Sequence, residues 1–329
     1  MSDQQNRNSF DILRLVAAFM VLWSHQFAFS GEQERIFLGF TPASLGVGIF
    51  FAISGYLNAQ SVVRGQSSID FLIKRARRIF PALVGASVFC VFLTATVTTS
   101  WAAFWLSVPD FVFRNSTTLF GIRYTLPGVF DGNLYPSAIN GSLWTLPNEI
   151  KLYIYLAIIA VVTRYRLRPL FFVLLVFLVG FTIWESLPTT EKGHFNNFAI
   201  LFLFGAMLAL AERLACPLKP AILFGFLAAV AALAPVSFSL LPAIAFLSIQ
   251  IGKARAPTWL QPPIDISYGV YLFAFPIQQY VSTYGISFWP SIAVSAFCTT
   301  LLAIASALCI ERPAVGQNLK MVRSRPLGM

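Results

Sequence analysis

The chain has 329 residues, of which 57% are hydrophobic and 11% charged, against about 25% charged in an ordinary globular domain. Charge-free apolar runs recur along its length, which excludes a soluble fold and predicts an all-α polytopic membrane protein; no hydrophilic block is large enough for an appended soluble domain. The net charge of +10 would suit a nucleic-acid partner, but the placement of the cations excludes one.

Ten membrane spans are predicted. The first, Phe10–Phe29, carries Arg14 and lacks a clear small-x-small cleavage site, so an uncleaved span is expected rather than a signal peptide. The second is Leu45–Val63, followed by a basic loop from Arg64 to Arg78. The third, Ile79–Thr99, leads into the longest polar connection, Ser100 to Leu143. Trp101, Phe104, Trp105, Phe111 and Phe113 at its start suit an interfacial segment. The fourth to sixth spans are Trp144–Thr163, Pro169–Trp184 and Phe195–Ala211. The run Pro220–Ile251 would be about 48 Å long as one helix, too long for one apolar core of about 30 Å. Its flanks are both basic, Arg213 and Lys219 before it, Lys253 and Arg255 after it. Both ends therefore belong on one side, and the run is expected to turn near Pro235–Ser239, giving spans 220–234 and 235–251. The ninth and tenth spans are Ile264–Val281 and Pro290–Ile310.

With these spans, seventeen of the 23 Lys and Arg fall on one side and four on the other, Arg35, Arg114, Arg123 and Lys192. The excess places both termini in the cytoplasm, and it accounts for most of the net charge without any nucleic acid. Cys90, Cys216, Cys298 and Cys309 show neither metal-ligand nor disulfide spacing, and no metal is expected.

Arg14 and His25 lie inside the first span, eleven residues apart. At about 100° per residue the separation is three turns plus about 20°, so both leave one face of the helix, about 16 Å apart along it. Ionisable side chains within a span are functional candidates. For Arg14 the alternatives are snorkelling to lipid phosphate, a local pair with Asp11, or a pair with Glu311 at the end of the tenth span. Glu149 lies five residues into the fourth span, at roughly the depth of His25. A carboxylate beside an imidazole orients it and raises its basicity; a packing role beside Ser142 or Thr145 is the plainer alternative. Arg75 and Arg78, with Lys74 and Arg77, crowd the start of the third span. They read either as topology-setting charge or as a guanidinium cluster for a phosphate-rich ligand. Gly48 and Gly55 face one way on the second span and permit close helix approach; with Ser54 and Glu311 they are grouped as structural support. His194 reads as an exposed loop histidine.

Together these stretches resemble the integral-membrane acyltransferase-3 family. The resemblance rests on Arg14-x10-His25; Gly48-Ile-Phe-Phe-Ala-Ile-Ser-Gly-Tyr56; Arg75-x-x-Arg78 running into Arg-Ile-Phe-Pro81; Asn140-Gly-Ser-Leu-Trp-Thr-Leu-Pro-Asn-Glu149; Ile266-Ser-Tyr-Gly-Val-Tyr-Leu-Phe-Ala-Phe-Pro276; and Glu311-Arg-Pro313. It covers nearly the whole chain. It implies a bacterial inner-membrane enzyme that O-acylates a periplasmic or cell-surface carbohydrate. The donor is an acyl-CoA, usually acetyl-CoA, with no bound cofactor, and glycan-assembly proteins are further partners. It matches Arg14 and His25 to the family's essential pair, Arg75 and Arg78 to its di-arginine motif, and Glu149 to its motif carboxylate. One departure is Ala274, where many members carry histidine; it leaves His25 as the only histidine expected within the membrane.

These roles suggest a path for the donor. Arg75, Arg78 and Arg14 hold the charged end of acyl-CoA, the pantetheine arm runs beside the first and second spans, and His25 acts as general base on an acceptor hydroxyl, oriented by Glu149. Transfer through an acyl-enzyme on His25 or a serine stays open. The competing class is a transporter or flippase of a lipid-linked sugar or small metabolite, although no two-fold internal repeat is visible.

Overall fold

The computed structural model describes residues 9–64, 67–186, 195–214 and 240–316. Span 220–234, the turn near Pro235–Ser239, Cys216, His194 and Lys192 lie outside them. Among the described residues the fold is all-α, with no strand and one isolated bridge, Phe37 to Phe40. Among the described residues seven helices are long and apolar enough to cross a membrane. The chain is an all-α polytopic membrane protein.

The helices are α1 Phe10–Ser30, α2 Pro42–Val63, α3 Ser68–Ala95, α4 Trp101–Thr117, α5 Leu146–Val162, α6 Leu167–Ser186, α7 Phe195–Arg213, α8 Leu241–Lys253, α9 Ser267–Ser282 and α10 Phe288–Ser306. A 3-10 turn, Gly141–Thr145, precedes α5, and a π turn, Ala307–Glu311, follows α10.

Helix α3 differs most from expectation. The stretch Arg64 to Arg78 was expected as a loop, yet α3 starts at Ser68, and Arg75 and Arg78 are helical. The Ser67 hydroxyl accepts from the Asp70 N–H at 3.2 Å and caps this start. Hydropathy marks where lipid contact ends, whereas lysine and arginine are good helix formers and let the hydrogen-bonded ladder continue past it. The connection 100–143 likewise contains a helix, α4. Its Phe104 and Phe111 are buried against Cys90, Val91, Leu126, Val129, Phe130 and Ile139, while Trp101, Trp105 and Phe113 stay exposed.

The chain divides into two compact units: Met1–Ser24, Glu34–Leu72 and Asn148–Pro263 form the first, and His25–Gln33, Ile73–Pro147 and Ile264–Met329 the second.

In the first unit α2 is held close to α7 by glycines on both helices. A Cβ on Gly55 would meet the backbone of Phe202, and one on Gly205 the carbonyl of Ala52. Phe51 and Phe198 stack at 4.3 Å across the same pair of helices. Helix α2 begins with Thr41 accepting from the Ser44 N–H and Pro42 at its first position. Several helix ends meet on one side of this unit. The Ser9 N–H and hydroxyl donate to Gly252 and Ala254 carbonyls, both at 2.8 Å. The Tyr56 hydroxyl donates to Glu212 at 2.8 Å, and Glu212 pairs with Lys253 at 2.6 Å. The start of α1, the C-terminal half of α2 and the ends of α7 and α8 are thus gathered together.

In the second unit Gly269 of α9 packs against Ala303 of α10. Gln26 crosslinks the end of α1 to both: its Nε2 donates to Ser30 and Ser291 hydroxyls at 3.0 Å each, and its Oε1 accepts from Gln278 Nε2 at 3.0 Å. Buried amides in an apolar interior must be paired in this way. In the polar connection, Asp110 takes Arg114 at 2.7 Å and also Arg123, and these hydrogen bonds hold its carboxyl below the usual carboxylate range.

Candidate active site

Helix α1 carries Arg14 and His25 on one uninterrupted ladder, so the shared face expected from their spacing holds. Arg14 donates to Asp11 at 3.2 Å, the local i,i+3 alternative.

His25 lies in the second unit, one residue before the Gln26 crosslink, which fixes the last turns of α1 on which it sits. Its ring meets the edge of Phe275 at a centroid distance of 5.0 Å and 78°, with Phe29 at 6.4 Å. Phe29 and Phe275 meet edge-on at 4.9 Å. Gly141 is what lets Phe275 lie there, since a Cβ at 141 would overlap the ring. The His25 Nδ1 is buried and has no hydrogen-bond partner among the described residues, which leaves Nε2 as the nitrogen able to meet a reactant. Phe275 directly follows Ala274 in α9.

Also in the second unit, Arg75 and Arg78 stand one turn apart on α3 and are half-buried, whereas Lys74 and Arg77 are exposed. The four cations therefore divide into a less exposed pair and a more exposed pair. Arg78 Nη2 meets Asp265 Oδ2 at 2.7 Å. The other Asp265 oxygen accepts from the Ser267 N–H at 3.0 Å and the Ser267 hydroxyl at 2.6 Å. Asp265 thus ties Arg78 to the start of α9. Glu311 accepts from the Ser306 hydroxyl at 2.9 Å. That pair is i,i+5, a spacing that an α-helix points apart and a π turn brings together.

Glu149 lies in the first unit. Its Oε1 accepts from the Ser54 hydroxyl at 3.1 Å and from the Tyr153 hydroxyl. Ser54 and Tyr153 oxygens are 2.8 Å apart, and Asn58 Nδ2 donates to Ser54 at 3.0 Å. The Asn58 amide supplies a hydrogen to Ser54, and either of the Ser54 and Tyr153 hydroxyls can donate to the other. Ser142 and Thr145, weighed as partners of Glu149, bond elsewhere: the Tyr271 hydroxyl donates to the Ser142 carbonyl at 2.8 Å and lies 2.6 Å from the Thr145 hydroxyl. Asn58 Oδ1 is buried with no partner among the described residues. Gly48 and Gly55 both face α7, Gly48 through Leu201 and Gly55 through the Phe202 backbone.

Four contributors were not singled out from the sequence. Tyr153 was readable as the i,i+4 neighbour of Glu149, and Asn58 as that of Ser54. Asp265 carries the signal of a capping residue just before a helix. Phe275 had no local signal of its contact with His25. Among the described residues no group of three or more His, Cys, Asp and Glu side chains is placed to hold a metal ion.

The acyltransferase domain of the acyltransferase-3 family matches residues 7–310, and the chain belongs to that family; it is an acyltransferase. It is similar to the O-acetyl transferase of Shigella phage Sf6, 34% identical over 320 residues that cover 93% of this chain and 95% of that protein. It is also similar to nodulation protein 10 of Rhizobium leguminosarum bv. viciae, 25% identical over 358 residues, 97% and 96% of the two chains. No solved structure matches it.

Proposed function

We propose that this chain transfers an acetyl group from acetyl-CoA to a hydroxyl of a periplasmic or cell-surface carbohydrate, from the bacterial inner membrane, with ten spans and both termini cytoplasmic. The similarity to an O-acetyl transferase over 93% of the chain carries the reading. The gathered helix ends of the first unit support the side assignment.

Arg75 and Arg78 hold the phosphates of the donor, their planar guanidinium groups matching phosphate oxygens in pairs. A donor lying along α1 also meets Arg14, on the stripe that leads to His25. Neutral His25 takes the acceptor hydroxyl proton at Nε2 as the oxygen attacks the thioester carbonyl. The C–S bond then breaks, the imidazolium returns the proton to sulfur, and the products are the O-acetyl ester and free CoA. Glu149 is the second catalytic candidate, with Ser54 and Tyr153 fixing its carboxylate. Gly48, Gly55 and Glu311 are support.

Purified protein given acetyl-CoA and cell-envelope polysaccharide is expected to release free CoA only when the polysaccharide is present. A protein that transports without cleaving thioester would give none, and that result ends the proposal. Isothermal titration with acetyl-CoA checks the arginines. The double variant Arg75→Ala/Arg78→Ala is expected to bind at least about tenfold more weakly, since hydrogen bonds to charged groups contribute about 1.5–3 kcal/mol each. Asp265→Asn is expected to bind acetyl-CoA more tightly, because asparagine still caps α9 but no longer competes for Arg78. Unchanged affinity in the double variant returns the arginines to topology alone.

A further inference from the structure

We propose that the loop Phe130–Ser137 is the acceptor-docking element, with the Tyr135 ring as the platform on which a pyranose ring lies and Asp131 as the acceptor of its hydroxyl hydrogens. This inference rests on the carbohydrate O-acetylation proposed above and adds where the sugar binds.

The loop is built rather than loose. Its two ends, Phe130 and Ser137, are non-glycine residues in the left-handed region, at φ 59° and 62°. Such conformations cost about 1–3 kcal/mol each and collect at ligand sites. The Phe130 carbonyl closes the loop on itself, accepting from the Asn133 N–H at 3.1 Å and the Ser137 N–H at 3.2 Å. The Ser137 hydroxyl donates to Asp131 at 3.0 Å. The loop is then strapped to α9. Asn133 Nδ2 donates to the Gln279 carbonyl and the Ser282 hydroxyl, both at 3.0 Å, and Gln279 Nε2 donates to Tyr135 and Ala138 carbonyls.

What the loop presents is an aromatic ring with one side open. Tyr135 is 42% exposed, and its hydroxyl makes no hydrogen bond among the described residues. Its ring meets Phe29 and Phe275, each at 5.8 Å and near 80°. Phe275 in turn meets His25 at 5.0 Å. The partly exposed Tyr135 ring and the proposed base therefore lie at two ends of one continuous aromatic cluster within a single unit. The C–H-rich face of a pyranose suits the negative face of an aromatic ring. Its hydroxyl rim needs acceptors, and a carboxylate is a strong one. Asp131, four residues before Tyr135 in the same loop, supplies that group, exposed and already oriented by Ser137.

The test separates this from a tyrosine that only anchors the loop at the lipid interface. Membranes bearing each variant are assayed with radiolabelled acetyl-CoA and graded concentrations of envelope polysaccharide from a strain lacking the protein. Tyr135→Ala is expected to raise the KM for polysaccharide about tenfold, equivalent to about 1.4 kcal/mol, with the KM for acetyl-CoA unchanged. Tyr135→Phe, which keeps the ring, is expected to stay within about twofold of the unsubstituted protein, and Asp131→Asn to raise the same KM about threefold. An unchanged KM for polysaccharide in Tyr135→Ala overturns the proposal and leaves the interfacial anchor. So does an equal rise in Tyr135→Phe and Tyr135→Ala. If the unsubstituted protein transfers nothing to any polysaccharide concentration, the carbohydrate reading falls and this site falls with it.

Discussion

His25→Ala is expected to lower acetyl transfer by about 10²- to 10⁴-fold, the range for loss of a positioned general base, at unchanged protein level in the membrane. The loss is chemical rather than structural because the fold does not hang on the ring. Its Nδ1 has no partner among the described residues, so alanine orphans no donor or acceptor that the imidazole was serving. The neighbouring crosslink belongs to Gln26, not to His25, and the main ring contact, the Phe275 edge, is retained by Phe29. Acetyl-CoA affinity is therefore expected to survive, measured by titration on the same preparations. Near-normal transfer by His25→Ala would sink the general-base mechanism while leaving the family assignment intact. Loss of binding together with transfer would instead show that the ring holds the donor.

Gly55→Val is expected to be the most disruptive single substitution in the first unit. A Cβ at 55 meets the backbone of Phe202, and Gly205 makes the reciprocal approach to Ala52. Overpacking typically costs about 1–3 kcal/mol where side chains can move aside; here the obstacle is main chain on both sides, so α2 and α7 must separate. Stacking of Phe51 on Phe198 is lost with that separation. Without a hydrophobic drive between helices in lipid, close backbone packing is a main source of their association. The measurement is the fraction of folded protein surviving a thermal ramp in detergent. Gly180→Ala is the matched control: among the described residues nothing lies within 4 Å of its Cβ position, and alanine favours the helix by about 1 kcal/mol. Equal melting of the Gly55 and Gly180 variants would remove the glycine crossing as a determinant of the fold.

The all-α membrane fold and the stripe on α1 were legible because helical periodicity and hydropathy are local. The pairing of Glu149 was half legible: Ser54 was noted for its place among glycines, not for its hydroxyl, and Tyr153 was passed over although one helical turn separates it from Glu149. The start of α3 was misplaced because apolarity was used to end a helix that hydrogen bonding continues. Asp265 fell just outside the Ile266–Pro276 stretch and was missed for that reason. The Phe275 contact with His25 and the loop at Phe130–Ser137 depend on segments more than a hundred residues apart, and no local pattern encodes them. The π turn that joins Ser306 to Glu311 is equally silent, since an i,i+5 pair reads as two unrelated positions on an α-helix.

If Arg78 holds the donor's phosphate as proposed, its pair with Asp265 would make it an ion-exchange site with a resident counter-ion. A phosphate arriving at Arg78 displaces a carboxylate that is anchored to Ser267 and stays within reach. The guanidinium is never left bare between ligands, so occupancy is set by competition between two anions rather than by attraction from water. After transfer the same carboxylate would be in place to reclaim the arginine from the spent coenzyme. Tight capture and ready release, which oppose each other at a purely cationic site, are reconciled by a tethered rival.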